Sequence, residues 1–243
     1  MRIAIISDIH ANLNALTEVL KEIDTLNIDT LICLGDIVGY GAEPNEVANL
    51  IRESCDFVIM GNHDAATIGR LDYTYHYQAA KDAIDWTQTV LTDENKDWLY
   101  NLPYTFKIKN ISFTHGSPIS PKDFLYVYNS THANLLSLHY ENLNEFSFVG
   151  HSHLIKGYIF SKMLSDEFKL PRTGFLKNNK YLFSVGSVGQ PRDGSPLSAF
   201  LVYDTDNEDI SIHRVYYDID LTAKKIIDAG LSTNFAKRLF LGI

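Results

Sequence analysis

The chain repeatedly runs through a short stretch rich in Ile, Val and Phe and then stops abruptly at a cluster of polar side chains. Apolar runs of this kind, about four to eight residues long, are typical of strands that are buried on both faces. The runs that end in polar clusters are "RIAIISDIH", "TLICLGD", "FVIMGNHD", "ISFTHG" and "FSFVGHSH". The pattern therefore predicts buried strands that carry polar side chains at their carboxyl ends.

Helical patterns lie between these predicted strands. Leucines and isoleucines recur at helical spacing through "ANLNALTEVLKEIDTLNI", and "PNEVANLIRES" begins with Pro44, which the first turn of a helix tolerates. From Tyr77 to Leu102 the pattern predicts two further helices, the second of them capped by Asp93. The chain after His153 is rich in predicted strands, and a final amphipathic helix is expected over residues 221–229.

This order of elements predicts the architecture. Alternating strands and helices followed by a strand-rich half indicate an α/β fold, with two mixed sheets packed face to face and helices outside, as in a four-layer α/β/β/α sandwich. Residues 1–243 are expected to form a single domain, because 243 residues with 45% hydrophobic content can bury a sizeable core. In such folds the carboxyl ends of neighbouring strands open onto one crevice, so the polar clusters should meet there.

Composition restricts the partners and the compartment. A formal net charge of −9 does not attract a polyanion, so we expect no nonspecific binding of nucleic acid. Cys33 and Cys55 lack the spacing of a thiolate metal site or a disulfide framework, which suits a reducing cytoplasm. The segment "RIAIISD" is too short for a signal peptide or a membrane span. We therefore expect a cytoplasmic protein without membrane contact, acting on a small molecule.

The predicted strand ends concentrate side chains of the kind that bind metals. These residues are Asp8, His10, Asp36, Asn62, His63, His115, His151 and His153. Carboxylate oxygens mixed with imidazole nitrogens suit Mn, Fe, Ni or Zn better than calcium, and the absence of Cys disfavours a thiolate zinc site. In "DIH" and "HSH" the ligand-type residues are two apart, which on an extended backbone would place both on one side.

Each of these residues also has an ordinary structural interpretation. Asp8 can cap a turn, Asp36 can accept backbone hydrogen bonds in a Gly-rich turn, and a single His115 or His151 can be a hydrogen-bonded core residue. Their convergence is harder to explain in this way. Without a cation, at least two carboxylates would share a desolvated crevice, at a cost on the order of several kcal/mol. The combination favours a dinuclear metal centre.

The order of the motifs resembles that of the calcineurin-like metallophosphoesterases. The family pattern runs D-x-H, G-D, G-N-H-D/E, a lone His after a strand and G-H-x-H, and this chain has "SDIH", "GD", "GNHD", "THG" and "GHSH" in that order. The resemblance implies two divalent transition-metal ions, with manganese as the leading choice and Fe, Zn or Ni as alternatives. The implied ligands are Asp8, His10 and His153 for one ion, Asn62, His115 and His151 for the other, and Asp36 between them.

The same resemblance implies a reaction. A hydroxide bridging the ions next to Asp36 would attack the phosphorus atom in line, and His63 would protonate the departing oxygen as general acid. Asn62 and His63 would orient the phosphate. Asp64 is either a partner of His63 or an ordinary turn acid. Arg192, in the loop "SVGSVGQPRDG", is expected to bind phosphoryl oxygens; the alternative is an exposed arginine in a turn.

The residues after the second motif bear on the substrate. Protein serine/threonine phosphatases of this family carry Asp and Arg where this chain has Gly39 and Tyr40, which disfavours a phosphoprotein phosphatase. The chain looks most like small bacterial and archaeal phosphodiesterases, which implies a small phosphodiester or nucleotide-type substrate. A noncatalytic, partner-binding member of the same fold is a further alternative, although no expected ligand position is missing. Tyr40 and the aromatic stretch 72–77 either line the mouth of the site or belong to the core.

Overall fold

The computed structural model describes residues 1–162 and 164–243. Its helices are α1 (Leu13–Asp24), α2 (Pro44–Ser54), α3 (Asn62–Thr67), α4 (Gln78–Val90), α5 (Asp93–Tyr100), α6 (Ser130–Ser137), α7 (Ile219–Asp228) and α8 (Thr233–Leu241). Its strands are β1 (Arg2–Ile6), β2 (Thr30–Cys33), β3 (Phe57–Val58), β4 (Thr105–Ile108), β5 (Ile111–Thr114), β6 (Phe146–Val149), β7 (Ile155–Ser161), β8 (Leu164–Phe168), β9 (Arg172–Thr173), β10 (Lys180–Val185), β11 (Ser198–Asp204) and β12 (Asp209–Val215).

The strands form two mixed sheets. The first has the order β3-β2-β1-β11-β12-β9, and the second has the order β4-β5-β6-β10-β7-β8. β1, β2 and β3 run parallel to one another in the first sheet. β5, β6 and β10 run parallel to one another in the second. Within each sheet the carboxyl ends of these parallel strands therefore share one edge, and the polar clusters follow those ends.

The side chains of β1 alternate between two apolar cores. Ile3 and Ile5 pack between the sheets with aromatic residues of the second sheet, among them Phe183 of β10. Ala4 and Ile6 belong to the other core, which lies under α1 and α2. This alternation follows from the pleat of a strand, which sends successive side chains to opposite faces. Since both faces of β1 are covered, its continuous apolar run is explained.

Helices cover both outer faces of the sheet pair. α1 and α2 lie on the first sheet through residues such as Leu16 and Val47. α6 covers the second sheet, where Leu136 packs with Tyr158 and Leu182. The predicted four-layer α/β/β/α sandwich is confirmed. Within the described residues, none of the helices has both the length and the apolar character that a membrane crossing requires.

The predicted helices of the first half and the C-terminal helix are present, with two corrections at their starts. α5 begins at Asp93, but its N-cap is Thr92, whose hydroxyl accepts the Asn95 N–H at 3.3 Å. Asp93 is thus an acidic residue of the first turn and not the cap. α7 begins at Ile219, earlier than the predicted residue 221, because Asp218 caps it by accepting the Leu221 N–H at 2.9 Å.

Candidate metal centre

The predicted ligand residues lie in the loops that follow parallel strands. Asp8 and His10 come after β1, Asp36 after β2, His115 after β5, and His151 and His153 after β6. The two sheets meet at this edge. The His151 N–H donates to Asp8 Oδ2 at 3.0 Å, which joins the loop after β6 to the loop after β1. The expectation that these strand ends open onto one crevice is therefore met by the geometry.

The segment "GNHD" reaches the crevice differently from what its sequence suggests. β3 ends at Val58, and Asn62 and His63 form the first turn of α3. The motif thus follows β3 after a short connection and continues directly into a helix. Gly61 precedes the helix as its N-cap, and a side chain there would overlap Asp36. The missing Cβ lets Asp36 Oδ1 accept the His63 N–H at 2.8 Å.

The backbone of "DIH" and "HSH" is not extended, contrary to expectation. The φ angles are 55° at Asp8, 50° at His10, 66° at His151 and 58° at His153, all in the left-handed region. Asp36 has a φ of 52° as well. The side chains in each tripeptide converge through a turn and not through strand alternation. Left-handed conformations of residues other than glycine cost on the order of 1–3 kcal/mol each, and they cluster at functional sites.

Asp8 and Asp36 each use one oxygen for the backbone and direct the other into the crevice. Asp8 Oδ2 accepts the His151 N–H, while Asp8 Oδ1 is buried without a hydrogen-bond partner among the described residues. Asp36 Oδ1 accepts the His63 N–H, and its Oδ2 lies 3.3 Å from His115 Nε2 and 3.6 Å from His10 Nε2. The main chain thereby fixes both carboxylates, and one oxygen of each is left for a ligand.

Three imidazole rings are oriented by main-chain carbonyl groups. His10, His115 and His153 each place Nδ1 near a carbonyl oxygen, at 3.2 Å from Val38, 2.8 Å from Leu34 and 2.5 Å from Gln190 respectively. A carbonyl oxygen only accepts hydrogen bonds, so Nδ1 is the donor in each ring. In the neutral ring the proton is then on Nδ1, and Nε2 carries a lone pair that is free to bind a metal.

These Nε2 atoms face other acceptors at close range. His10 Nε2 lies 3.1 Å from His153 Nε2, and His115 Nε2 lies 3.0 Å from Asn62 Oδ1. Lone pairs that face each other at this distance repel unless positive charge lies between them. Together with the unpartnered Asp8 Oδ1, these contacts make the crevice a favourable place for a cation. The donor set, which mixes imidazole nitrogen with carboxylate and amide oxygen, fits first-row divalent metals.

The pKa values of the histidines follow from burial and from the two carboxylates. Burial lowers the pKa of His10, His151 and His153 well below the usual value, so their rings are neutral. Burial acts in the same sense on His115, but Asp36 and Asp8 more than offset it and raise its pKa to about 9. The crevice therefore stabilises a positive charge at His115 Nε2, whether a proton or a metal ion supplies it.

The two aspartates differ in their electrostatic surroundings. Burial raises the pKa of Asp8 to about 7. Burial also opposes ionisation of Asp36, but the nearby His115 and His63 outweigh it together with His10 and lower the pKa of Asp36 well below its usual range. Asp36 is therefore the carboxylate that the surrounding histidines hold in its charged form.

The geometry divides the ligand-type atoms into groups. The ligand atoms of Asp8, His10 and His153 lie within 4.8 Å of one another, and so do those of Asp36, His115 and His151. Asn62 adjoins the second group through its contact with His115. Asp36 Oδ2 is close to both groups, since it also approaches His10 Nε2. All seven predicted ligand residues are thus brought together; that they bind metal remains a prediction.

His63 lies at the edge of this arrangement. It forms a third group with His10 and Asp36, although the resemblance leaves it off the metals. Its ring lies edge-on to His10 at 5.0 Å and at a tilt against Tyr40 at 4.3 Å, both measured between ring centroids. Its Nδ1 is buried without a hydrogen-bond partner in the described part of the chain, and burial lowers the pKa of the ring to about 4. His63 therefore lies close to one residue of each ligand group, His10 and Asp36.

Of the two roles considered for Asp64, the hydrogen bonds favour that of an acid that binds the main chain of turns. Its Oδ1 accepts the N–H groups of Ile37 at 2.9 Å and Val38 at 3.1 Å, and its Oδ2 accepts the Gly61 N–H at 2.9 Å. These bonds connect the loop after β2 to the start of α3. Asp64 therefore fixes the position of Asp36 relative to His63. It is not a hydrogen-bond partner of the His63 ring.

Arg192 packs beside Tyr40 and next to the loop that carries His153. Arg192 follows β10 and donates from Nη2 to Gln190 Oε1 at 2.8 Å, while its Nε has no hydrogen-bond partner among the described residues. Its guanidinium carbon is 5.8 Å from the Tyr40 ring. Tyr40 is buried and also packs on Phe235 at 4.7 Å, so it belongs to the core. Because Nε is closed to solvent, a phosphoryl group would have to bind the Nη atoms of Arg192.

Two rings near the centre were not predicted from the sequence. The Tyr126 ring stacks on His151, with 3.7 Å between ring centroids and an angle of 18°. The His76 ring lies 6.1 Å from His63, edge to face. His76 falls in the aromatic stretch 72–77, which offered a weak signal. Tyr126 stands in "DFLYVYN", a segment that carries no motif, so only the fold reveals it.

Known proteins resemble this chain in sequence and in structure. The model of the calcineurin-like phosphoesterase family matches residues 1–182. An uncharacterized protein of Methanocaldococcus jannaschii, MJ0912, is 39% identical over 249 residues, which cover 99% of this chain and 98% of that protein. The crystal structure of a metallophosphoesterase from Sphaerobacter thermophilus has a TM-score of 0.85 and 34% identity, covering 100% of this chain and 99% of the other. The hypothetical protein PH1004 from Pyrococcus horikoshii shares the fold, with a TM-score of 0.77 and 22% identity over 100% and 98% of the two chains.

Proposed function

The chain belongs to the calcineurin-like phosphoesterase family, and from this premise we propose that it hydrolyses a small phosphodiester or nucleotide-type ester with two divalent transition-metal ions. One observation carries the proposal. Nε2 atoms of His10 and His153 face each other at 3.1 Å while both Nδ1 atoms are committed to carbonyl groups. A cation between these two Nε2 atoms would be coordinated by both lone pairs, which would no longer repel each other.

We propose that the two groups of residues hold one ion each. The first ion would be held by Asp8, His10 and His153, and the second by Asn62, His115 and His151, with Asp36 shared between them. When bound, two such ions supply Lewis acidity toward phosphoryl oxygens and a nucleophile at neutral pH. Manganese is the leading choice from the resemblance, and Fe, Zn or Ni, which the mixed nitrogen and oxygen donors also suit, are the alternatives.

The side chains around the ions would position the substrate and move a proton. Asn62 and His63, adjacent in the first turn of α3, would orient the phosphoryl group. His63 would give a proton to the departing oxygen as general acid. Because main-chain N–H groups fix Asp8 and Asp36, their free oxygens need no rearrangement when charge develops on the phosphoryl group.

We further propose a small substrate and a cytoplasmic location. A long nucleic acid would have to approach a chain with a formal net charge of −9, which opposes binding of a polyanion. Cys33 and Cys55 are both free thiols, which supports a reducing compartment.

Removal of metal is expected to abolish hydrolysis of bis-p-nitrophenyl phosphate, and addition of Mn²⁺ to the stripped protein should restore it. The reason is that Lewis acidity and the nucleophile both come from the ions. Ca²⁺ serves as the control, since a nitrogen-rich donor set binds it poorly. The measurement is initial rate against metal content, determined by elemental analysis. Full turnover after verified metal removal would rule out the proposed mechanism.

The Arg192→Ala variant is expected to raise KM for the same diester about tenfold and to change kcat less. A charge-assisted hydrogen bond to a phosphoryl oxygen contributes about 1.5–3 kcal/mol. Arg192→Lys should lie between the variant and the wild type, because it keeps the charge and loses the fork of donors. Arg52→Ala is the control, since Arg52 pairs with Glu94 on the surface. An unchanged KM in Arg192→Ala would leave Arg192 as an ordinary arginine of a turn.

A further inference from the structure

His151 differs from the other histidines of the two proposed ligand sets in how its ring is held. The rings of the other three are oriented by main-chain carbonyl groups. The His151 N–H donates to Asp8 Oδ2 at 3.0 Å, which fixes the main chain, but neither nitrogen of its ring has a hydrogen-bond partner among the described residues. The residue is nevertheless buried, with 5% of its surface exposed. Packing must therefore hold this imidazole in place.

The ring of Tyr126 supplies this packing. It lies against His151 with 3.7 Å between the ring centroids and 18° between the ring planes, so the two rings are stacked nearly face to face. A flat ring held parallel to an imidazole restricts its rotation about the Cβ–Cγ bond, because a turned imidazole would overlap the tyrosine. Tyr126 thereby does for His151 what a carbonyl group does for each of the other three rings.

The segment that carries Tyr126 is itself fixed against the loop after β5. The carbonyl oxygen of Leu125 accepts the Ser117 N–H at 2.8 Å. Phe124 is buried, and its ring meets that of His115 edge to face, with 5.9 Å between the centroids. Both histidines of the second ligand set therefore contact one short segment, residues 124–126, which is anchored two residues after the first of them.

We propose that Tyr126 is a positioning residue of the second metal site, whose ring holds the imidazole of His151 in the orientation that binds the ion. The inference rests on the proposed function, since it concerns the second of the two proposed ligand sets. It also separates the two sites, because His10 and His153 are oriented through carbonyl groups and do not depend on Tyr126. Loss of the Tyr126 ring should therefore weaken binding of the second ion and spare the first.

The test is the Tyr126→Ala variant, titrated with Mn²⁺ in a calorimeter after removal of metal. It should bind the first ion as tightly as the wild type and the second about 10–100-fold more weakly, which is the usual cost of losing a group that orients a metal ligand. Tyr126→Leu, which keeps an apolar side chain without a flat ring, should behave in the same way. Tyr126→Phe keeps the ring and loses only the hydroxyl, so it should bind both ions like the wild type.

Tyr128→Ala is the matched control, since it removes a tyrosine of similar exposure from the same loop. The Tyr128 ring packs on His132 at 4.5 Å and meets Tyr126 only edge-on at 5.9 Å, so both ions should bind as in the wild type. Thermal unfolding shows whether each variant is folded. Anomalous diffraction from crystals of Tyr126→Ala grown at limiting Mn²⁺ identifies the weakened ion, which should be the one next to His151.

A second ion bound as tightly by folded Tyr126→Ala and Tyr126→Leu as by the wild type would overturn the inference. Equal weakening of both ions, or weakening in Tyr126→Phe, would overturn it as well. Turnover of bis-p-nitrophenyl phosphate is measured in the same preparations. Two bound ions and turnover without dependence on Tyr126 remove the positioning role and leave the proposed function intact. Selective weakening of the second ion in a wild-type protein without turnover does the opposite, and a wild type that binds fewer than two ions removes both.

Discussion

The His63→Ala variant should lose about 10²–10⁴-fold in kcat on a diester with a poor leaving group, while it still binds two manganese ions per chain. A general acid matters most when the departing oxygen is strongly basic. The loss should therefore be larger for a phenyl ester than for the corresponding p-nitrophenyl ester, whose leaving group needs less help from a proton. Kinetics on this matched pair of diesters, together with elemental analysis of bound manganese, make the measurement.

His76→Ala is the control for the His63 experiment. The His76 ring lies 6.1 Å from His63 and has no assigned role, so its loss should leave kcat close to the wild-type value. Equal losses for the two leaving groups in His63→Ala would contradict the role as an acid. Loss of an ion would contradict it in another way, because it would identify the group of His63, His10 and Asp36 as a true ligand set.

The Asp36→Asn variant should lower kcat/KM by at least about 10³-fold and leave fewer than two manganese ions bound per chain. The amide keeps an oxygen that can accept the His63 N–H, but it removes the negative charge 3.3 Å from His115 Nε2 and 3.6 Å from His10 Nε2. Two ions held close together repel each other without a shared anionic ligand. The expected loss corresponds to about 4 kcal/mol of transition-state stabilisation, within the several kcal/mol that metal ions supply.

Asp56→Asn is the control for Asp36→Asn. It shows what happens when a carboxylate that binds a main-chain N–H group is lost outside the metal centre. Asp56 also accepts a main-chain N–H, from Leu31 at 2.8 Å, but it is exposed and belongs to none of the candidate metal groups. Its variant should keep both ions and near wild-type kcat/KM. Asp36→Asn with two tightly bound ions and turnover within tenfold of the wild type would show that Asp36 is not shared between the ions.

The placement of the ligand residues could be predicted because it depends on strand order and on little else. β1 and β2 are adjacent parallel strands, as are β5 and β6, so the residues after them necessarily share an edge. The apolar runs reveal the strands, and their ends reveal the polar clusters. These edges of the two sheets meet because the sheets pack face to face. The order of strands and helices in the sequence already indicated that packing.

The local geometry of the site could not be predicted, since it depends on contacts between distant loops. The left-handed φ of Asp36 and the close approach of Gly61 to Asp36 join the loop after β2 to the start of α3. Such a pairing leaves no periodic pattern in either segment. For the same reason the three main-chain donors to Asp64 were missed, because Ile37 and Val38 belong to the loop after β2 while Gly61 precedes α3.

The surroundings of the site were missed for a further reason. α6 and the loop that contains Tyr126 are short and irregular in their hydrophobic spacing, and neither carries a motif. Tyr126 becomes relevant only because the fold places its ring on His151. Residues that would position a proposed ligand are therefore less visible in the sequence than those that would hold the ions.

The existence of a two-ion centre is tested most directly by diffraction at the manganese absorption edge from crystals grown with Mn²⁺. Two anomalous peaks are expected about 3.5–4 Å apart. One should lie next to Asp8, His10 and His153, the other next to Asn62, His115 and His151, with Asp36 between them. A map without anomalous peaks among these side chains, from crystals in which they converge as described, would contradict the account.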